Sequence, residues 1–166
     1  MSTPAPLDDL SFTSNRGDTV PLSTYAGHPL LIVNTASKCG LTPQYEALQA
    51  IQDGYAERGL VILGFPCDQF LNQEPGTDAE IEEFCRVNHG VTFPLSTKVD
   101  VNGEDTHPVF ALLKERTGGL LGSAIKWNFT KFLVAPDGAV QRYSPQTKPA
   151  ALREDIVAVL SEPTSD

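Results

Sequence analysis

Short apolar runs alternate along the chain with segments in which apolar residues recur every three or four positions. Two of the runs, residues 30–36 (LLIVNTA) and 60–66 (LVILGFP), are mostly apolar and have the length of a buried strand. Between them, side chains that can form one helix face recur at helical spacing: Tyr45, Leu48, Ile51 and Tyr55. The order strand, helix, strand predicts a βαβ unit with two parallel strands.

Hairpins are predicted on both sides of this unit. Residues 10–22 predict two short strands joined by a turn at Arg16-Gly17, and residues 129–143 alternate around a Pro-Asp-Gly turn. A strand or two is predicted over residues 91–103. Further helices are predicted over three segments, the first of which opens with the capping-box pair Thr77 and Glu80: residues 77–90, 107–115 and 148–160.

These elements predict one α/β domain over residues 1–166, with a mixed sheet, helices on both faces and an N-terminal hairpin. Residues 1–9 and 161–166 are polar or rich in proline, and we expect them to be loose tails. A length of 166 residues suits a single core, and 40% hydrophobic residues exclude a largely disordered chain.

The net charge narrows the classes of partner. A formal charge of −9 and a pI near 4.7 argue against a surface for nucleic acid or anionic membrane. No apolar run approaches the ~20 residues that cross a bilayer, and the first residues do not resemble a secretory signal. We therefore expect a cytoplasmic protein without stable membrane anchoring.

The chain has three cysteines, Cys39, Cys67 and Cys85, and no C-x-x-C pair. An odd, small number does not resemble a disulfide framework. Three scattered histidines lack metal-ligand spacing, so we expect neither a metal nor another cofactor. The remaining alternatives are inert buried thiols and reactive ones.

Cys39 is the first candidate for a reactive thiol because it follows a predicted buried strand and precedes a predicted helix. Open α/β sheets place their sites at that end of the strands. The N–H groups and partial positive charge of a helix N-terminus favour thiolate over thiol, and Lys38 adds a nearby cation. The alternative is a small buried side chain, since cysteines without disulfides are commonly buried.

Three polar side chains are candidates for hydrogen bonding near such a thiol. Trp127, the only tryptophan, stands beside Asn128, and their N–H groups can solvate an anion or polarise an oxygen. The alternatives are ordinary packing for Trp127 and a turn for Asn128. Gln73 lies in the loop after the second buried strand, and a loop glutamine alone indicates little.

Three blocks of sequence resemble the signature blocks of the glutathione peroxidase family: NTASKCGLTPQYEAL (34–48), GFPCDQFLNQEPG (64–76) and IKWNFTKFLV (125–134). Residues 92–110 resemble the middle section of the same family. Long blocks in the right order are far more specific than a lone short motif. The resemblance implies a thioredoxin-like fold, reduction of hydroperoxides and a role against oxidative stress.

The resemblance also implies roles for single residues. Cys39 stands where members of the family have the peroxidatic cysteine or selenocysteine, so this chain resembles a sulfur-type member. Gln73, Trp127 and Asn128 stand where members have the residues that hydrogen-bond the thiolate and the peroxide. Attack of the thiolate on peroxide then gives water or an alcohol and a sulfenic acid.

Two cysteines remain after this assignment. Members of the family that use thioredoxin carry a resolving cysteine in the helix after the Q-E-P-G loop, which implies this role for Cys85. A disulfide needs Cα atoms within ~7 Å, so a cysteine in the middle of a helix requires local unwinding. The alternative is a core-facing Cys85 beside Phe84. Cys67 matches a cysteine of the family without a catalytic part, and we interpret it as structural.

Three functional hypotheses follow. The first is a two-cysteine thiol peroxidase recycled by thioredoxin, and the second is a one-cysteine enzyme that uses glutathione. The third is a thioredoxin-like redox sensor that passes a disulfide to a partner protein. The short stretch between Glu115 and Ile125 resembles that of the compact, largely monomeric, thioredoxin-using members, which favours the first hypothesis.

Overall fold

The computed structural model describes residues 6–36, 41, 43–70, 76–117 and 124–160. The strands in these ranges are β1 Ser11–Thr13, β2 Thr19–Pro21, β3 Leu30–Thr35, β4 Val61–Pro66, β5 Lys131–Val134 and β6 Val140–Tyr143. The α-helices are α1 Gln44–Tyr55, α2 Asp78–His89, α3 Pro108–Thr117 and α4 Arg153–Val159. Short 3₁₀ helices span Pro6–Asp9, Leu22–Tyr25, Ala56–Arg58 and Pro149–Leu152.

The central sheet is mixed, as the sequence predicts. Its strand order is β4-β3-β5-β6, and β1 pairs with β2 in a separate antiparallel hairpin. β3 runs parallel to β4 and antiparallel to β5, which confirms the predicted βαβ unit and the C-terminal hairpin. Because β3 lies between two strands and under helices, all six of its residues are buried, which explains its apolar run.

Two clusters of buried side chains cover the two faces of the sheet. Leu31 and Val33 point to the face covered by α1, α2 and α4, and Leu30 and Ile32 to the face covered by α3 and the β1–β2 hairpin. The prediction of helices on both faces is therefore confirmed. No helix in the described ranges is long and apolar enough to span a membrane.

Both ends of α2 are defined by local chemistry. The Thr77 hydroxyl accepts from the Glu80 N–H at 3.2 Å, and the Glu80 carboxylate accepts from the Thr77 N–H at 2.9 Å. This is the predicted capping box. At the other end Gly90 has φ 65, a left-handed conformation that glycine adopts without strain and that ends the helix.

Two predictions at the level of elements are wrong. Residues 6–9 are not a loose tail: they form a 3₁₀ helix, and Leu7 is 5% exposed because it packs in the core. The loose-tail prediction for residues 1–5 and 161–166 lies outside the described residues. Residues 91–103 form isolated bridges, including Leu95 with Gly64, and no strand.

Pro94 explains why no strand forms there. Proline lacks the N–H that a continuous ladder needs, so the segment makes a short contact beside β4: Gly64 N–H donates to the Pro94 carbonyl at 3.0 Å, and Ser96 N–H donates to the Gly64 carbonyl at 2.9 Å. A Cβ at Gly64 would lie 2.6 Å from the Leu95 side chain, so this close approach requires glycine.

Candidate active site

The parallel strands β3 and β4 end beside each other, at Thr35 and Pro66, which are paired in the register. We call this end of the sheet the carboxyl end. The chain leaves it through Ala36 toward Cys39, and through residues 67–70 toward Gln73. Cys39 and Gln73 themselves lie outside the described residues, so their roles stay predictions.

The turn formed by residues 127–130, here called the Trp127 turn, lies at the carboxyl end of the sheet. β5 begins directly after it and runs antiparallel to β3, with Lys131 paired to Val33. The Phe129 N–H donates to the main-chain carbonyl of Asn34 at 2.6 Å, which extends the contact beyond the ladder. The structure thus brings Trp127 and Asn128 next to the strand that leads to Cys39.

Burial differs between the two predicted donors of this turn. Asn128 is fully buried, and Trp127 is half-buried against the core cluster that also contains Ala36. The Trp127 and Phe70 rings lie 5.8 Å apart between centroids, and the chain continues from Phe70 toward Gln73. Trp127 therefore contacts a residue of the segment that leads to Gln73, and Asn128 follows it in the same turn.

Phe129 has an unusual backbone conformation. Its φ of 68 makes it the one non-glycine residue with positive φ among those described. A bulky side chain adopts this conformation only where surrounding contacts hold it. The ring is fully buried and meets the Tyr45 ring edge-on at 5.3 Å. Backbone strain of this kind motivates the hypothesis that the turn is held for function.

Asn34 holds the Trp127 turn from β3, and the sequence analysis did not single it out. The Asn34 side-chain amide donates to the Trp127 carbonyl at 3.2 Å, and its oxygen accepts from the Thr130 N–H at 3.0 Å. The one signal in the sequence is an amide side chain directly after four apolar residues of a predicted buried strand, since a buried polar side chain requires partners.

Lys131 was also missed by sequence reasoning. Its side chain is fully buried, and its Nζ donates to the Pro145 carbonyl at 3.0 Å, which also accepts from the Gln44 side chain at 2.9 Å. Burial lowers the pKa of Lys131 to about 8, because the charged amine loses hydration. Strand alternation places it on the same face as the buried Phe129 and Leu133, which is a usable sequence signal.

Cys67 lies directly after β4 and is fully buried. Burial raises the pKa of its thiol to about 11, so the thiolate is scarce at neutral pH. The thiol lies 3.6 Å from the side-chain oxygen of Gln69, which also accepts from the N–H groups of Val101 and Asn102. These features fit the predicted structural role.

Cys85 lies in the middle of α2 and is 1% exposed. Its side chain belongs to the same core cluster as Ala36 and Ile81, with Phe84 packed at the border. The structure therefore shows a core-facing thiol in an intact helix. A bond to Cys39 requires α2 to open, as the sequence analysis anticipates, and the resolving role stays a prediction.

Metal-binding residues are not gathered in the part of the chain that the structure describes. No group there brings together three or more histidine, cysteine, aspartate or glutamate side chains with the geometry to hold an ion. His107 instead caps α3: its Nδ1 accepts from the Val109 N–H at 3.1 Å, and burial lowers its pKa.

Solved structures define the class of the fold. The GPX1 structure of T. cruzi matches with a TM-score of 0.73 and 32% identity, covering 90% of this chain and 93% of that one. A thioredoxin family thiol:disulfide interchange protein of Chlorobium tepidum matches with a TM-score of 0.65, covering 97% of this chain and 99% of that one. Its identity is 15%, so it shows the fold alone. The fold is thioredoxin-like.

Sequence comparison defines the family. The profile of the glutathione peroxidase family matches residues 7–114. A glutathione peroxidase homolog of Bacillus subtilis is 56% identical over 148 residues, which are 88% of this chain and 92% of that protein. A glutathione peroxidase-like peroxiredoxin of Schizosaccharomyces pombe is 51% identical over 153 residues, covering 92% and 97%. The chain belongs to the glutathione peroxidase family.

Proposed function

We propose that this chain is a thiol peroxidase that reduces hydrogen peroxide and organic or lipid hydroperoxides, with Cys39 as the nucleophile. Membership of the glutathione peroxidase family supports the reaction class. The observation that carries the assignment of the site is the position of the Trp127 turn. It lies against the end of β3, and the chain continues from there through Ala36 to Cys39.

The proposed first step is a displacement on oxygen. The Cys39 thiolate attacks one peroxide oxygen, the O–O bond breaks and its electron pair leaves with the second oxygen. That oxygen takes up a proton and departs as water or alcohol, while Cys39 becomes a sulfenic acid. The sulfur loses two electrons and the peroxide gains them, so no metal or organic cofactor is required.

Hydrogen-bond donors make this step faster in two ways. They stabilise the thiolate before attack, and they stabilise the negative charge that develops on the leaving oxygen. The indole N–H of Trp127 and the amide N–H₂ of Asn128 are neutral donors, and Gln73 completes the proposed set. Donors fixed by the fold do not have to reorganise during the reaction, which is the physical value of a rigid turn.

The second step removes the sulfenic acid before further peroxide oxidises it irreversibly. We propose that the Cys85 thiol attacks Cys39, which forms a disulfide and releases water. Cys85 is buried within α2, so local opening of this helix precedes the bond. Thioredoxin then reduces the disulfide through its own dithiol. Glutathione is the alternative reductant.

Oligomeric state and compartment complete the proposal. We propose a monomer because the short stretch between Glu115 and Ile125 resembles the compact members of the family. A cytoplasmic location is supported by the small, odd number of cysteines, two of which are buried thiols. Light scattering tests the first point, and a stable dimer or tetramer would contradict it.

A coupled assay that follows NADPH consumption tests the function. The protein is supplied with peroxide and with thioredoxin and its reductase, or with glutathione and its reductase. We expect turnover with thioredoxin, slower or no turnover with glutathione, and none for Cys39→Ser in either system. Turnover with glutathione alone would contradict the proposed reductant, and full activity of Cys39→Ser would contradict the proposed nucleophile.

A further inference from the structure

We propose that Asn34 is a positioning residue for the peroxide step, because it fixes the Trp127 turn to the strand that leads to Cys39. The catalytic consequence rests on the function proposed above. The structural hold on the turn stands on its own geometry. Asn34 does not need to touch the peroxide: it acts through Trp127 and Asn128.

Asn34 is joined to this turn by three hydrogen bonds, and each of them ends on a backbone atom of the turn. The side-chain amide donates to the Trp127 carbonyl at 3.2 Å, and the side-chain oxygen accepts from the Thr130 N–H at 3.0 Å. The main-chain carbonyl of Asn34 accepts from the Phe129 N–H at 2.6 Å. One residue therefore binds the first, third and fourth residues of a four-residue turn.

The surroundings of Asn34 are apolar, so an amide at this position lowers the stability of the fold unless its polar atoms are hydrogen-bonded. Asn34 is fully buried, and Ile32 and Val33 before it on β3 belong to the two core clusters. A buried amide is unfavourable unless its polar atoms are paired. Here the pairing is with a distant segment, and it determines where that segment lies.

The turn also needs to be held. Phe129 has φ 68, a conformation that a bulky residue keeps only when its neighbours determine it. The bond to the Asn34 carbonyl and the contact of the Phe129 and Tyr45 rings fix it. The Thr130 hydroxyl adds a second bond to the Trp127 carbonyl at 3.0 Å. Loss of the Asn34 amide removes two side-chain hydrogen bonds that join this turn to β3.

The experiment uses the single tryptophan of the chain as its reporter, because all tryptophan fluorescence comes from Trp127. The variants are Asn34→Ala and Asn34→Leu, the second of which fills the space without polar atoms. We measure acrylamide quenching of the fluorescence, far-UV circular dichroism and the second-order rate of the reduced protein with hydrogen peroxide. We expect at least twofold stronger quenching and at least tenfold slower reaction, with unchanged circular dichroism.

Two matched controls separate positioning from stability. Thr35→Val changes the next residue of β3, which is equally buried and whose hydroxyl has no hydrogen-bond partner among the described residues. Leu113→Ala leaves a cavity beside Val134 and Val140, at the end of β5 that lies away from the Trp127 turn. We expect quenching and peroxide rate within twofold of the parent for both, although Leu113→Ala unfolds at a lower temperature.

Thr130→Val provides a graded variant if neither substitution of Asn34 folds. It removes one of the two donors to the Trp127 carbonyl and retains the Asn34 amide. We expect an increase in quenching that is smaller than for Asn34→Ala. If no Asn34 variant folds, amide hydrogen exchange of the parent decides the proposal: Phe129 and Thr130 N–H groups that exchange as fast as unprotected amides would overturn it.

The following results would overturn the positioning role of Asn34. Parent-like quenching and rate in Asn34→Ala overturn it, and so does stronger quenching with an unchanged rate. An equal loss of rate in Leu113→Ala overturns it as well, because the effect is then one of stability. A parent that does not react with peroxide overturns the proposed function, whereas the quenching result alone still upholds or overturns the hold of Asn34 on the turn.

Discussion

The Trp127 turn and helix α2 carry two parts of the proposed site and are held in different ways. The turn is fixed by hydrogen bonds from Asn34 on β3 and by a buried aromatic ring. Helix α2 is fixed by caps at its two ends and by one apolar face that contains Cys85. The turn has no means of moving without breaking buried polar pairs, and the helix is able to fray from its ends.

This difference matches the two chemical steps. Donors for the peroxide must be in place before the reaction, since preorganisation is the source of their effect. A thiol that resolves a sulfenic acid must approach it, since a disulfide requires Cα atoms within ~7 Å. The comparison predicts that substitutions in the turn slow the peroxide step and that substitutions in α2 change the resolving step.

The largest expected effect comes from the nucleophile. Cys39→Ser replaces a thiolate by a hydroxyl that is not ionised at neutral pH, so we expect the rate with hydrogen peroxide to fall at least about 1,000-fold. Stopped-flow kinetics with the reduced protein measures it. Cys67→Ala is the matched control, because this thiol is fully buried and its burial raises the pKa and disfavours the reactive thiolate. Loss of activity in Cys67→Ala alone would contradict the assignment.

Substitution of Asn128, the buried donor of the Trp127 turn, tests whether the turn serves the peroxide step. Asn128→Ala removes a fully buried amide of the proposed donor set, and we expect the peroxide rate to fall about 100-fold. The step that forms the disulfide keeps its rate. Asn15→Ala, in the turn of the N-terminal hairpin, serves as the control and leaves both rates unchanged. Equal slowing of both steps by Asn128→Ala would remove the distinction.

Weakening the N-terminal cap of α2 tests whether opening of this helix controls the resolving step. Thr77→Ala loses one side of the capping box, which destabilises a helix by about 1 kcal/mol and makes opening about fivefold more frequent. We expect the Cys39–Cys85 disulfide to form about fivefold faster after peroxide, as measured by quenched-flow alkylation. Glu80→Gln keeps a side chain suited to the box and is the control. An unchanged rate in Thr77→Ala would show that α2 does not open from this end.

The last prediction concerns the stability of the fold and is made at Lys131. Its pKa is about 8 in the folded protein and near 10.5 when unfolded, so the unfolded chain binds more protons between these values. Stability from this group therefore rises with pH from about 8 to 10.5.

Lys131→Met removes the titrating group and tests this sign. We expect the free energy of unfolding of the variant to rise less with pH over this range than that of the parent, as measured by urea denaturation. The control is Lys148→Met, an exposed lysine for which the pH dependence stays that of the parent. A parent-like pH dependence in Lys131→Met would contradict the burial of a charged amine.

Much of the fold follows from local pattern. The apolar run of β3, the helical spacing from Tyr45 to Tyr55 and the capping box at Thr77 each depend on neighbours in sequence, and the structure contains all three. The Pro-Asp-Gly turn likewise joins β5 and β6. Local chemistry suffices for such elements because their partners are a few residues away.

The rest depends on contacts between distant segments. Asn34 and Trp127 are separated by 93 positions, and the Lys131 side chain donates to the carbonyl of Pro145, which lies beyond the next strand. No pattern of neighbouring residues predicts either contact. Leu7 is buried because it packs in the core cluster on one face of the folded sheet. The polar, proline-rich sequence around it does not predict this contact. Position in the sequence made Cys39 the first candidate for a reactive thiol, whereas its peroxidatic role and the role of Gln73 came from family resemblance.

The proposed function requires that peroxide oxidises one particular sulfur, that of Cys39. The most direct test treats the reduced Cys85→Ser variant with one equivalent of hydrogen peroxide, traps sulfenic acid with dimedone and maps the adduct by mass spectrometry. We expect a single adduct, on Cys39. An adduct on Cys67, or none while peroxide is consumed, would contradict it.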